Sequence, residues 1–147
     1  DVLNSQGAFF ITGGDLNSIP PGAEKKDFCI EDICTGESFH LNTNGGPHRE
    51  GSYFNNFDGE LDLVKPFYDA YDPAISLESS QNPIHFTHSP WNTNADSIGF
   101  TDEDYWDRKL DYLFTNFPNG FSDGITHQEV HTLSDHAPVS ATLYFTE

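Results

Sequence analysis

Three short polar motifs in this sequence each lie beside a strand-like run and carry side chains suited to binding a metal ion or a phosphate. The motif at residues 14–18 (GDLNS) follows the apolar run at residues 8–11. The second is at residues 110–114 (LDYLF), and the third, at residues 134–139 (SDHAPV), leads into a strand predicted to end at residue 145. Strand ends that carry Asp, Asn and His can hold a divalent cation and a phosphate together. The pattern predicts a metal-dependent phosphoester hydrolase.

Cleaving a phosphoester needs a cation to offset the phosphate charge and a group that orients or deprotonates water. Hard cations such as Mg²⁺ prefer carboxylate and carbonyl oxygens and keep several waters. Asp15 and Asn17 are two residues apart, so in an extended segment both side chains would project to the same side. Asp135 and His136 are adjacent and should point in different directions. One could then reach the metal while the other reaches the phosphate.

Asp111 is the predicted partner of His136. A histidine that contacts phosphate is best kept charged, and a neighbouring carboxylate raises its pKa. An aspartate among apolar strand residues would be costly without such a partner. Each motif alone is common in turns. Their order and their shared position beside apolar strands carry the interpretation.

Together the three motifs resemble the C-terminal half of the endonuclease/exonuclease/phosphatase superfamily, which has the DNase I-like fold. The resemblance runs in order from residue 8 to residue 145. It implies an α/β fold that is part of a four-layer α/β/β/α sandwich, with mostly antiparallel sheet. It also implies phosphoester hydrolysis with Mg²⁺, or with Mn²⁺ or Ca²⁺. Substrates in the family include nucleic acids, inositol phosphates and sphingomyelin.

The resemblance implies a role for each of five residues in this sequence. Asp15 would orient or deprotonate the attacking water and associate with the metal. Asn17 would contact the phosphate and a metal-bound water. Asp111 would pair with His136, which would grip the scissile phosphate, and Asp135 would be associated with the metal.

The resemblance covers only the C-terminal portion of such a domain. Family members also use an asparagine, a metal-binding glutamate and a second histidine or tyrosine upstream of the Asp-x-Asn strand. We therefore expect residues 1–147 to lack the N-terminal half of the domain and to be inactive alone; the absence of methionine fits a piece of a longer protein. Lys109 stands where many relatives have arginine, which matters if a bidentate contact is needed there.

The charge of the chain bears on its substrate. Six Lys and Arg residues face 24 Asp and Glu residues, giving a net charge of −18. No basic stripe of the kind used to bind duplexes is present. This disfavours duplex DNA slightly and keeps two alternatives open. One is a sphingomyelinase-like lipid phosphodiesterase or a sugar-phosphate phosphatase; the other is a non-catalytic binding module that retains the fold.

The sequence carries weak information on location. No run of 18 apolar residues and no basic-then-apolar leader occurs, so no transmembrane segment is expected. Cys29 and Cys34 could close a small disulfide loop, although two free thiols are almost as plausible. The cysteine pair and the acidity favour an extracytoplasmic location, either secreted or periplasmic.

Apolar periodicity predicts the elements that would position these residues. A buried strand is predicted at residues 8–15, and a short helix at residues 60–71, distorted by Pro66. Further strands are predicted at residues 83–88, 109–115 and 139–145. The remaining stretches are predicted to be surface loops: residues 20–56, with one helical turn near 25–33, residues 89–106 and residues 116–133.

Other polar and aromatic residues lack a specific spacing. His85 and His88 would face opposite ways on a strand and are expected to be ordinary exposed or capping histidines. His127 and His131 could line the site entrance, but solvated loop positions are favoured. Trp91, Tyr105 and Trp106 could stack on a ligand or serve equally well as partly buried loop anchors. Asp102, Glu103 and Asp104 could hold Ca²⁺, but without the spacing of an EF-hand a solvated acidic run is favoured.

Overall fold

The central strand of the main sheet is β3, Asp111–Thr115. It pairs antiparallel with β1, Ile11–Asp15, on one side and with the two-residue β2, Asp72–Pro73, on the other. A second, two-stranded antiparallel sheet joins β4, Ser122–Thr126, to β5, Val139–Thr142. Of the candidate site residues, Asp15 ends β1 and Asp111 begins β3, while Asn17 follows β1 and Asp135 and His136 precede β5.

The computed structural model describes residues 2–23, 63–89 and 106–144. Within those ranges it is mostly antiparallel sheet with very little helix, and no stack of sandwich layers is seen there. No helix in those ranges is long and apolar enough to cross a membrane. The helices are α1 (Val2–Ser5), α2 (Lys65–Ala70) and 3-10 helices at Ser79–Gln81, Pro83–His85 and Gln128–Val130.

One face of β3 is buried. Successive side chains of a strand point to opposite faces of the sheet, so every second residue of β3 lies on this face. Tyr112 and Phe114 share a face and are 2% and 0% exposed. α2 packs on this face through Phe67 and Tyr68, whose ring centroids lie 5.4 and 5.1 Å from that of Phe114. Pro66 lies in the first turn of α2, where a missing N–H costs nothing. Asp111, the first residue of β3, therefore projects from the other face.

Glycine allows β1 to approach β3 closely. A Cβ at Gly13 would collide with the carbonyl oxygen of Tyr112. Gly14 adopts a φ of 134°, which residues with side chains rarely adopt. These two positions let β1 end with Asp15 directly opposite Asp111.

Two predictions of secondary structure are wrong. The predicted strand at residues 83–88 begins as a 3-10 helix at Pro83–His85, because the side chain of Asn82 accepts the N–H of Ile84 at 3.1 Å and caps it. In the rest of that stretch, the backbone forms only isolated β-bridges, at His88. The predicted loop at residues 116–133 contains β4, which has no apolar alternation and forms by pairing with β5.

The other predicted elements are present with different bounds. The predicted strand at residues 109–115 begins at Asp111, and the one at residues 139–145 is described through Thr142. The helix runs from Lys65 to Ala70, and its proline begins it rather than distorting it. β1 is exposed along its length rather than buried, because it is the edge strand of its sheet within the described ranges.

Several predictions concern residues outside the described ranges. They cover the helical turn near residues 25–33 and most of the loops at residues 20–56 and 89–106. The same holds for the cysteine pair, the acidic run and two aromatic residues: Cys29, Cys34, Asp102, Glu103, Asp104, Trp91 and Tyr105.

Candidate functional site

The register of β1 on β3 brings two carboxylates together at one end of the sheet. Asp15 is the last residue of β1, Asp111 is the first residue of β3, and the two are cross-strand partners. Like charges directly opposite each other on neighbouring strands destabilise a sheet. A cation between them would offset this repulsion.

His136 lies between the two carboxylates. Its Nδ1 is 2.8 Å from Oδ2 of Asp111, and its Nε2 is 4.0 Å from Oδ2 of Asp15. Because an ionised carboxylate can only accept, Nδ1 carries the proton of the shorter contact. The hydrogen bond to Asp111 is the main cause that raises the pKa of His136 above its usual 6.5, and burial opposes it. The charges of Asp111, Asp15 and Asp135 raise this pKa further.

Thr87 fixes the start of β3. Its fully buried hydroxyl oxygen accepts the backbone N–H groups of Leu110 and Asp111, both at 2.9 Å. Its own carbonyl oxygen accepts the N–H of Ala137 at 2.7 Å. One threonine thus connects the segment that carries Asp111 to the segment that carries the catalytic histidine candidate.

The residues after Thr87 continue this connection. The backbone of His88 forms isolated antiparallel bridges with Arg108 on one side and His136 on the other. The N–H of Ser89 donates to the carbonyl oxygen of Asp135 at 2.8 Å. Residues 87–89 therefore lie between the two segments and set the distance between Asp111 and His136.

Asn17 follows β1 in a turn. It has a φ of 51°, and its N–H donates to Oδ1 of Asp15 at 2.8 Å, the hydrogen bond of an Asx turn. The expectation that Asp15 and Asn17 share one side of an extended segment is therefore wrong, because the strand ends at Asp15. The hydroxyl of Tyr112 donates to the carbonyl oxygen of Ser18 at 2.7 Å and anchors this turn.

A possible metal-binding group consists of Asp15, Asp111 and His136, whose potential ligand atoms all lie within 4.8 Å of one another. The group fits a hard cation only in part. Asp111 is engaged by His136, and this hydrogen bond favours the charged imidazole, which does not bind a cation. Asp15 is thus the carboxylate of this group best placed to hold an ion. Asp135 is exposed and is not a member of the group, although its charge acts on His136.

A second Asp–His pair lies beside the first and was missed from the sequence. His88 is only 9% exposed, and its Nδ1 is 3.0 Å from Oδ1 of Asp107. Its ring meets that of His136 edge to face, with centroids 5.2 Å apart. The expectation that His88 is exposed or caps an element is wrong. The bridges of His88 to two distant segments bury it, and no local spacing reveals such bridges.

The basic residues before Asp111 are buried. Arg108 and Lys109 are each 1% exposed. Nη1 of Arg108 lies 3.1 Å from Oδ2 of Asp107, close enough for an ion pair but not aligned as a hydrogen bond. Nζ of Lys109 lies 5.2 Å from the centroid of the Tyr112 ring and has no hydrogen-bond partner in the described ranges. Burial lowers the pKa of Lys109 to about 8, against the opposing effect of Asp111.

The remaining histidine candidates lie outside the Asp15–Asp111–His136 group. His127 lies just after β4, where its Nδ1 is 3.0 Å from Oε1 of Glu129 and its Nε2 is 2.7 Å from Oγ of Ser140. His85 contacts Oγ1 of Thr126 at 3.3 Å, and burial, with a smaller effect of the Lys109 charge, lowers its pKa.

Trp106 and His131 are two further candidates for contact with a ligand. Trp106 is buried, as expected of a loop anchor rather than a stacking platform. His131 is half-buried beside the 3-10 helix at Gln128–Val130.

Comparisons of the chain with protein-family models, with curated proteins and with solved structures found no match.

Proposed function

We propose that this chain is the C-terminal part of a Mg²⁺-dependent phosphoester hydrolase with the DNase I-like fold. The observation that carries the proposal is the position of His136, bonded through Nδ1 to Asp111 at 2.8 Å and facing Asp15 through Nε2 at 4.0 Å. A charged imidazole fixed by one carboxylate beside a second carboxylate is suited to binding a phosphate next to an activated water.

The distance between His136 and Asp15 leaves room for a substrate. Hydrogen bonds from nitrogen to oxygen have lengths of about 2.7–3.2 Å, so the 4.0 Å between Nε2 and Oδ2 is an attraction without a bond. Within the described residues neither of these two atoms has a hydrogen bond, so each can bond a third atom lying between or beside them. In the proposed reaction the imidazolium binds a phosphate oxygen and Asp15 orients or deprotonates the attacking water.

Asn17 is proposed as the amide that contacts the phosphate. Its turn is fixed by the bond from its N–H to Asp15 and by the anchor from Tyr112 to Ser18. Asn17 follows the last residue of β1, Asp15, by two positions. This short separation from the proposed water-activating carboxylate supports the assignment.

The metal ion is proposed to be held by Asp15, with Asp135 as a second carboxylate and further ligands from the N-terminal half of the domain. Bound, the ion would offset the phosphate charge as the leaving oxygen departs. Carboxylate oxygens suit Mg²⁺, and Mn²⁺ or Ca²⁺ as substitutes. The same proposal includes a four-layer α/β/β/α sandwich, completed by an N-terminal half of the domain.

The test is hydrolysis by the full-length protein that contains this chain. Bis(p-nitrophenyl) phosphate, plasmid DNA and sphingomyelin would each be incubated with Mg²⁺ and with EDTA. We expect hydrolysis of at least one substrate that EDTA abolishes and added Mg²⁺ restores. The pattern across the three separates a nuclease from a lipid phosphodiesterase.

The histidine variants test the site itself. His136→Ala should lower turnover by about 10²–10⁴-fold, the usual size of the loss of a group that assists proton transfer or charge development. His131→Ala is the matched control, because His131 lies outside the Asp15–Asp111–His136 group, and it should leave turnover unchanged. No hydrolysis of any substrate, or a His136→Ala protein with near-normal turnover, would overturn the proposal.

A further inference from the structure

A second histidine beside the proposed phosphate site has a carboxylate partner of its own. Nδ1 of His88 lies 3.0 Å from Oδ1 of Asp107, and both side chains are largely buried. Asp107 is itself held, because its other oxygen forms an ion pair with the buried Arg108 at 3.1 Å. Within the described ranges the imidazole of His88 is thus bonded to a carboxylate through Nδ1, as that of His136 is to Asp111.

The other nitrogen of His88 is available. A carboxylate accepts and cannot donate, so Nδ1 must donate its proton to Asp107. No hydrogen bond to Nε2 of His88 is found in the part of the chain that the structure describes. The rings of His88 and His136 meet edge to face with their centroids 5.2 Å apart, so the two imidazoles are direct neighbours.

We propose that His88 is a second phosphate-binding residue of this site, using Nε2 to donate to an oxygen of the same phosphate that His136 binds. The inference rests on the proposed function for the identity of the anion, and it adds a residue that the motifs do not contain. Two imidazole donors held by separate carboxylates would grip two oxygens of one phosphate.

The charge of the surroundings favours such a donor. The chain has a net charge of −18, which repels an anionic substrate at long range. Binding then depends on local cations. Of the six basic residues in the chain, Arg108 and Lys109 are buried directly beside Asp107. For Nε2 to donate to a phosphate while Nδ1 donates to Asp107, both ring nitrogens of His88 must carry protons.

The test observes histidine ring nitrogens directly. The full-length protein, labelled with ¹⁵N at histidine, would be titrated with inorganic phosphate while the Nδ1 and Nε2 signals are recorded by NMR. We expect the Nε2 signals of His88 and His136 to shift saturably with one common dissociation constant. The His131 signals serve as the internal control and should not move.

Variants of His88 measure how much its N–H donor contributes to phosphate affinity. His88→Leu removes the donor and should weaken phosphate binding by about 10-fold or more, as expected for a hydrogen bond to a charged group. His88→Gln keeps an N–H donor at a similar reach and should retain part of the affinity. Comparing the two separates loss of the donor from damage to the fold, which circular dichroism of each variant also monitors.

The outcomes separate this inference from the proposed function. If substrates are hydrolysed but the Nε2 signal of His88 stays fixed during the titration, His88 is structural and the inference is overturned. If no substrate is hydrolysed but both histidines shift together, the phosphate site stands and the hydrolase does not. If neither histidine shifts, the inference is overturned whatever the activity.

Discussion

Asp15 and Asp111 are direct cross-strand partners, and the imidazole of His136 contacts one at 2.8 Å and faces the other at 4.0 Å. Two carboxylates at adjacent strand ends would repel each other if nothing lay between them. When His136 is charged, it attracts both carboxylates and offsets their repulsion. The stability of this end of the sheet therefore depends on the charge of His136. Structure and proposed chemistry therefore depend on the same proton.

The Asp111–His136 pair predicts a change in the pKa of His136 on substitution. Asp111→Asn keeps an oxygen that can accept from Nδ1 but removes the charge, so the pKa of His136 should fall. NMR titration of the imidazole measures it. Asp69→Asn is the matched control, because Asp69 pairs with Lys65 on the surface of α2. An unchanged pKa in Asp111→Asn would refute the role of this pair.

The same pair predicts how stability depends on pH. Folding raises the pKa of His136 above the usual 6.5. Its stabilisation is therefore complete below 6.5 and is lost as the pH rises through the folded pKa. The urea midpoint of the wild-type protein, measured relative to that of His136→Gln, should fall over this window. Parallel curves for the two proteins would contradict the prediction.

The comparison with His136→Gln is needed because Lys109 titrates at higher pH. Burial lowers its pKa to about 8, so between this value and its usual pKa the unfolded chain binds more protons than the folded one. Stability then rises with pH on account of Lys109. Only the difference between the two proteins isolates His136.

The sequence predicted the pairing of Asp111 with His136 because an aspartate among apolar strand residues needs a partner and a phosphate-binding histidine is best kept charged by a carboxylate. β3 was also predictable, since Tyr112 and Phe114 follow a period of two. The position of the turn at Asn17 was not, because Asp-Leu-Asn is compatible both with a continuing strand and with the left-handed Asn17 and Asp15 hydrogen bond of an Asx turn. Nor was the burial of His88, which depends on bridges to segments distant in sequence.

Thr87 gives a prediction about the fold that supports the site. Thr87→Val keeps the side-chain volume but leaves the N–H groups of Leu110 and Asp111 without their acceptor. A buried unsatisfied donor costs about 1–3 kcal/mol, so the free energy of unfolding in urea should fall by about this amount or more. Thr87→Ser retains the oxygen and loses one methyl group, a smaller loss of about 1 kcal/mol. A serine variant less stable than the valine variant would contradict this.

Tyr112 gives a prediction about the Asp-x-Asn turn. Its single hydroxyl proton is shared between the carbonyl oxygens of Ser18 at 2.7 Å and Lys109 at 3.2 Å, so Tyr112→Phe removes the donor to both. The free energy of unfolding should fall by about 1–2 kcal/mol. Because the turn also loses its anchor, the Asn17 amide should exchange its hydrogen faster.

The matched control for this substitution is Tyr144→Phe. Tyr144 is 63% exposed, so loss of its hydroxyl strands no buried group, and both the stability and the Asn17 exchange rate should stay as in the wild-type protein. Faster exchange at Asn17 in Tyr112→Phe, with amides in the middle of β3 still protected, would identify a local loosening of the turn. Equal acceleration at all amides would instead mean that the tyrosine supports the whole sheet, and that the turn depends on Asp15 alone.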